Sequence, residues 1–349
     1  MKLVVLLLVV SFMVSLPSTV PPVLCDKGAI PVGSIAIYQG GQLAVIAWKN
    51  GEEILIVSTS LYASPLKYEE FPHSVKTLYA LEFLPLPSMP EMEEGDIDIF
   101  KALEKLVQIP PPETIFYEPN LLKAGDRAIE VAYHNVIGAH DVNVLKAENG
   151  EAVAEWVSSF LLSKGFPKPG KLGELAELID GYLSEGYMYL VFDLVPLSTT
   201  YKTVRPLIYR FRSERIYYPL KASRIIGGAS SIMLYILTTD RVKPESIEGS
   251  GLKIAFETKI SKMKVEEADK RFIGFFSKDE VWLTVLTWSG YLPELTGDLE
   301  AEVGLSLLHL RDTFAFIVPV SIALALTVLA YIYEFRGILK KIFGQRGLN

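Results

Sequence analysis

The sequence predicts an α+β fold: a β-rich ectodomain with a few amphipathic helices, followed by one C-terminal transmembrane helix. Three observations carry this. Short apolar runs bounded by Gly, Asn and Pro recur along most of the chain, as strands between turns do. Helical spacing of apolar residues is grouped near the middle. Finally, Phe314 to Tyr333 runs for 20 residues without a charge.

The N-terminus has Met1-Lys2, then Leu3 to Val14 interrupted only by Ser11, then Ser15-Leu16-Pro17-Ser18. A positive start, a short apolar stretch and helix-breaking prolines predict a secretory signal peptide over residues 1–24. Its apolar stretch would rise only ~18 Å as a helix, short of the ~30 Å hydrocarbon core. The ectodomain follows as residues 25–245, with a further β-rich and juxtamembrane part over 246–313. The expected boundary between them lies at Lys243-Pro244-Glu245-Ser246 and the glycines at 249 and 251.

Ser34 to Tyr38, Gln42 to Trp48 and Glu53 to Ser60 read as strands. Asn50-Gly51 between the last two is a hairpin signal, because both residues tolerate the positive φ of a primed turn. Thr77 to Leu86 continues in this style and ends in Pro85-Leu86-Pro87. Asp96 then caps a helix whose apolar positions are Ile99, Phe100, Leu103, Leu106 and Val107, before Pro110-Pro111-Pro112. Arg127 to Val136 and Asp141 to Ala147 read as strands. Two amphipathic helices follow, one with Ala152, Val153, Trp156, Val157, Phe160 and Leu161 on a face, the other with Leu172, Leu175, Ala176, Ile179, Tyr182 and Leu183. Gly165 ends the first of them. Later strands are Tyr187 to Val195, Val204 to Phe211, Ile232 to Thr238, Leu252 to Thr258 and Val281 to Trp288.

The uncharged run Phe314–Tyr333 is long enough to span a bilayer. Tyr331, Tyr333 and Phe335 stand at one boundary, where interfacial aromatics belong. Arg336, Lys340, Lys341 and Arg346 make residues 334–349 a basic tail, which the positive-inside rule places in the cytoplasm. The expected localisation is therefore the cell membrane, single-pass, with the N-terminal domain outside. Of the formal net charge of -7, the tail and Lys2 conceal an ectodomain at -11. An acidic ectodomain argues against nucleic acid, whose binding rests on Lys and Arg neutralising phosphates. One Cys, Cys25, rules out an intrachain disulfide framework and a four-cysteine zinc site.

The chain carries no Gly-x-Ser-x-Gly elbow, no phosphate loop ending in Lys-Ser/Thr and no His-Glu-x-x-His. No catalytic residue and no cofactor are assigned. His134, His140 and Asp141 are the best metal-like cluster, since imidazole and carboxylate are suitable ligands. A strand, a turn at Gly138 and a second strand over 128–147 would put both histidines at the turn or edge, without a third convergent ligand. Asp96 and Asp98 stand where acids favour a helix dipole. Lys202, Arg205, Arg210, Arg212, Arg215, Lys221 and Arg224, with Glu214 the one acid among them, form a stretch of net +6. Arg210, Arg212 and Arg215 are its candidate contacts for an anionic ligand or an envelope protein. The alternation of Leu207, Tyr209 and Phe211 with Arg210 and Arg212 equally fits a half-buried strand. Trp282 and Trp288 share strand parity and read as core.

The order of motifs is informative. Phe83-Leu84-Pro85-Leu86-Pro87 precedes Ile137-Gly138-Ala139-His140-Asp141-Val142-Asn143-Val144-Leu145. Trp156-Val157, Lys164-Gly165-Phe166 and Gly186-Tyr187-Met188-Tyr189-Leu190-Val191 come next. Arg205-Pro206-Leu207 and Ile216-Tyr217-Tyr218-Pro219-Leu220 close the series. Over about residues 25–245 this resembles the prokaryotic secreted or membrane-anchored proteins catalogued as domain of unknown function 2330. Cys25-Asp26-Lys27-Gly28 departs from the Cys-Gly-Gly stretch common in such proteins. The resemblance implies no activity, and its motifs read as packing and turn residues. The expectation is a single-span cell-surface protein that binds a partner or serves a structural envelope role; the alternative is a membrane-anchored hydrolase acting on envelope material.

Overall fold

The computed structural model describes residues 27–32, 35–39, 41–58, 61–65, 78–107, 129–197, 205–306, 321–329, 331–333 and 335. The expected signal peptide, Cys25, Lys202 and the tail from residue 336 lie outside the described residues.

Two sheets form the body. One has five strands, all antiparallel, in the order β1 (Gly28–Val32), β6 (Leu78–Leu86), β10 (Tyr189–Leu197), β9 (His140–Ala147) and β8 (Ile129–Ile137). The other has seven. They are β14 (Lys253–Ser261), β15 (Glu280–Tyr291), β13 (Ala229–Thr238), β3 (Gln42–Lys49), β4 (Glu52–Val57), β11 (Leu207–Arg212) and β7 (Glu91–Glu94). Its single parallel pair is β13 with β3. Two small ribbons, β2 (Ile35–Gln39) with β5 (Leu61–Pro65) and β12 (Ile216–Tyr218) with β16 (Leu299–Ala301), complete the strands.

The sheets share one core between them, and helices cover both outer faces. In β3, Ala44 and Ile46 join the inter-sheet core, while Leu43, Val45 and Ala47 join a second core. In that second core they meet Ile99, Phe100 and Leu103 of α1 (Asp98–Val107) and Val265 of α4 (Lys262–Ala268). Burial on both faces explains why β3 reads as a continuous apolar run rather than an alternation. On the far side, α2 (Gly150–Ser163) and α3 (Leu172–Ser184) cover the five-stranded sheet. Trp156 lies 5.5 Å from Phe192, which stacks on Phe83 at 6.1 Å. The result is helices, sheet, sheet, helices: a mixed α+β architecture rich in strands.

Local signals explain the boundaries. Asn50 and Gly51 both take positive φ, giving the primed two-residue turn that joins β3 and β4. Asn149 caps α2 by accepting from the Ala152 amide at 2.8 Å. Both middle helices end in the same C-terminal motif. In α2, the Phe166 amide returns to the Leu161 carbonyl. In α3, the Tyr187 amide returns to the Tyr182 carbonyl, with Gly186 at φ 94.

Among the described residues no helix is long and apolar enough to cross a membrane. The expected span Phe314–Tyr333 lies partly outside the described residues. Its residues 321–329 and 331–333 are helical and exposed. Residues 246–301, set apart by the expected boundary near 245, supply β14 and β15 to the same seven-stranded sheet as β3.

Candidate functional site

The C-terminal motif of α3 fixes the site. By turning the chain back at Gly186 it sets Tyr187 edge-on to Tyr182, with ring centroids 5.9 Å apart. Tyr187 in turn stacks on Tyr217 at 4.7 Å. Beside this aromatic row lies a cleft of about 540 Å³. One wall is α3, presenting Glu174, Glu177, Leu178, Gly181 and Glu185. The other is the 3-10 helix Leu220–Ile225, presenting Lys221, Arg224 and Ile225.

Two bridges brace the walls. At one end the Lys171 ammonium donates to the Ile225 carbonyl at 2.5 Å. At the other, Lys221 Nζ donates to both Glu185 oxygens, at 2.7 and 2.6 Å. Burial pushes the Lys171 ammonium down, against the opposing pull of Glu174. Lys221 also sits 4.9 Å from the Tyr182 ring centroid and 3.4 Å from Asp298 Oδ2.

Asp298 lies beneath these groups, its side chain 3% exposed. Its Oδ1 accepts from the Lys221 amide at 2.7 Å and from the Tyr182 hydroxyl at 3.1 Å. Burial pushes this carboxyl up to about 6, outweighing the Lys221 ammonium beside it. Burial and the carboxylates also raise both tyrosines, Tyr182 through Asp298 and Tyr187 through Glu300, to which it donates at 2.6 Å. A carboxyl near 6 is suited to proton transfer, but Lys221 and Tyr182 cover it. The cleft therefore offers paired and unpaired surface charges rather than a nucleophile with its base.

A second polar cluster is sealed between the sheets. Glu82 and Asp193 are register partners on adjacent strands and face the same side. Lys27 Nζ reaches Glu82 at 3.0 Å and Asp193 at 3.4 Å. His140 Nδ1 lies 2.7 Å from the same Asp193 oxygen, and its Nε2 lies 2.9 Å from the Arg205 carbonyl. All four residues are 0–1% exposed. Burial works against the charged forms of both cations, yet Glu82, Tyr209 and Asp193 raise Lys27, and Asp193 with the Arg205 carbonyl raises His140. The cluster thus sets Lys27 and His140 against Glu82 and Asp193 in an interior where an unpaired charge is costly.

His140 is therefore not a turn or edge residue: it faces inward on β9, while its neighbour Asp141 faces the helices, as alternation along a strand requires. Asp141 instead binds exposed His134 at 2.8 Å and Lys164 at 2.5 Å. The three metal candidates do not converge. Among the described residues no group of three or more His, Cys, Asp or Glu is placed to hold a metal ion.

The basic stretch meets acids from distant segments. Arg205 pairs with Glu94 at 3.2 Å, and Arg210 with Glu52 at 2.6 Å. Arg215 pairs with Glu300 at 3.3 Å and with Glu302 at 3.6 Å. Arg212 is exposed on β11, where its backbone N–H and carbonyl both bond the Ser88 hydroxyl. Arg210 and Arg215 thus meet acids, while Arg212 has no ion-pair partner among the described residues. Asp96 accepts from the Asp98 amide at the start of α1. Trp282 and Trp288 are half-buried; Trp282 lies under Arg241, with centroid distance 5.3 Å. Sequence reasoning missed Lys27, Glu82, Asp193 and Asp298. The readable signal was one lone acid at the centre of each apolar strand, Glu82 in β6 and Asp193 in β10.

No curated protein matches the chain. Among solved structures, it is similar to a mutated baculovirus P35 after caspase cleavage. That likeness has 8% identity and covers 75% of this chain and 98% of that one, with a TM-score of 0.34. A likeness at that level carries no argument about fold or function. A family profile, described as an uncharacterized protein conserved in bacteria (DUF2330), matches residues 83–300. It starts later than the motif resemblance and extends past residue 245 through β14 and β15. With more than half its length matched, this chain belongs to the DUF2330 family of bacterial proteins.

Proposed function

We propose that the protein is an extracytoplasmic binding domain held on a cell membrane by one C-terminal segment, with the cleft beside α3 as its binding site. The observation that carries the anchoring is the helix at residues 321–329. Leu324, Leu326 and Leu329 there are 61–66% exposed, whereas Leu side chains of the two cores are almost wholly buried. Leaving such side chains in water forgoes roughly 1.5–3 kcal/mol each relative to burial. Its Thr327 hydroxyl donates to the Ala323 carbonyl at 2.9 Å, so even this polar group is satisfied within the helix. That is what a lipid surrounding requires. The uncharged sequence from Phe314 and the basic tail support a span with the tail inside.

Supporting binding rather than chemistry, the cleft presents opposed charged walls, and the raised carboxyl beside it, Asp298, lies beneath Lys221. The competing reading, a hydrolase acting on envelope material, draws on Asp298, whose carboxyl is raised but covered.

The test compares the full chain with a form ending at residue 313 in carbonate-washed membranes. The full chain is expected to stay in the pellet and the shorter form to be soluble. Release of the full chain by carbonate, or its resistance to protease added to spheroplasts, would overturn the reading.

A further inference from the structure

We infer that the cleft beside α3 takes a small zwitterion of amino-acid or dipeptide size, its ammonium against Glu177 and its carboxylate against Arg224. The inference rests on the reading of this cleft as a binding site and names what would fill it.

The two bridges already described hold the walls at both ends, Lys171 to Ile225 and Lys221 to Glu185. Between them stand two opposite charges that do not pair. Glu177 and Arg224 both line the cleft, both are exposed, and neither has an ion-pair partner among the described residues. Arg205, Arg210, Arg215 and Lys221 of the same stretch have each found an acid; Arg212 has none either, but it does not line this cleft. Opposite charges facing across a braced gap are complementary to a ligand that carries both signs. Leu178 and Ile225 supply apolar surface for its body.

An independent feature keeps the space open. Gly181 lies inside α3, where glycine costs about 1 kcal/mol relative to alanine. Its neighbours do not require it, since a Cβ there would meet nothing within 4 Å. Its missing side chain leaves room in the cleft.

The probe is alanyl-leucine, titrated by calorimetry into the full chain in detergent. The controls are its N-acetyl form, which lacks the ammonium, and its amide, which lacks the carboxylate. Alanyl-leucine is expected to bind with half-saturation below about 1 mM. Each blocked form should bind on the order of 10- to 100-fold more weakly, the range for losing a hydrogen bond to a charged group. Arg224→Glu should remove the distinction between the peptide and its amide, and Glu177→Lys that between the peptide and its N-acetyl form. Gly181→Phe should abolish binding while Gly181→Ala retains it; if the Phe variant does not fold, the charge variants decide. Equal binding of the blocked forms, or binding that survives Gly181→Phe in a folded protein, overturns the assignment. Binding of cadaverine or succinate without alanyl-leucine overturns the zwitterion and leaves the binding-site reading standing. If none of the three binds, both fall.

Discussion

Lys27, Glu82, Asp193 and His140 are tolerated between the sheets only as a set. An unpaired charge at any of these positions would cost several kcal/mol. Lys27→Met should therefore destabilise the protein by about 3–5 kcal/mol in chemical denaturation. Adding Glu82→Gln should recover much of that loss, because it removes the acid left facing the lost ammonium and leaves the His140–Asp193 contact in place. A double variant no more stable than the single would remove the charge-balance account. Part of this cluster was legible: Glu82 and Asp193 interrupt apolar strands, and a lone acid there needs a partner. Its cations were not. Lys27 stands 55 residues from Glu82 and 166 from Asp193 in the chain. His140 drew attention through its closeness in sequence to His134 and Asp141, a spacing that strand alternation sends to opposite faces.

At the level of elements, the same limit separates what sequence could and could not show. Hairpin, helix-end and periodicity signals are local, so β3–β4, α2 and α3 were readable from Asn50-Gly51, Gly165 and the helical spacing of Leu172, Leu175 and Ile179. Edge strand β7, with its run of glutamate and methionine, and the three-residue β12 and β16 have no pattern of their own; they exist because a partner strand is offered. Asp298 illustrates what such an element can carry. It lies just before β16 and ties that strand to α3 through Tyr182 and to the 3-10 helix through Lys221. Its carboxyl is raised from 3.8 to about 6, so the folded protein holds a proton that the unfolded chain releases between those values. The stability this contributes is fully present below pH 3.8 and is lost as pH rises through about 6. Asp298→Asn keeps an acceptor for both hydrogen bonds and cannot ionise. Between about pH 4 and 7, the wild type should lose on the order of 2–3 kcal/mol relative to this variant in urea melts. Parallel profiles for the two proteins would mean that Asp298 is ionised throughout.

For the whole molecule, long-range pairing decides both charge and domain structure. The basic stretch looked like a site because its acids lie elsewhere in the chain: Glu52 is 158 residues from Arg210, Glu94 is 111 from Arg205, and Glu300 is 85 from Arg215. Those acids offset part of the stretch's positive charge, in exposed pairs that contribute little to stability. The boundary at residue 245 has the same explanation. Lys243-Pro244-Glu245-Ser246 is turn-like in sequence, but Lys243 is bound to Glu302 through both backbone and side chain. Beyond it, β15 pairs along the full length of β13, from Ala229 with Tyr291 to Thr238 with Trp282. A chain ending at residue 245 would lose β14, β15 and β16 together. It would open β13 as an edge whose side chains Ile232, Leu234 and Ile236 are fully buried in the intact protein. Long, flat, apolar edges of that kind recruit other chains. Such a chain is expected to aggregate, while one ending at residue 313 should elute as a single species and melt cooperatively. Size-exclusion chromatography with thermal denaturation separates the cases. A monodisperse, cooperatively melting fragment of residues 25–245 would show that the last strands are an addition to a domain complete without them.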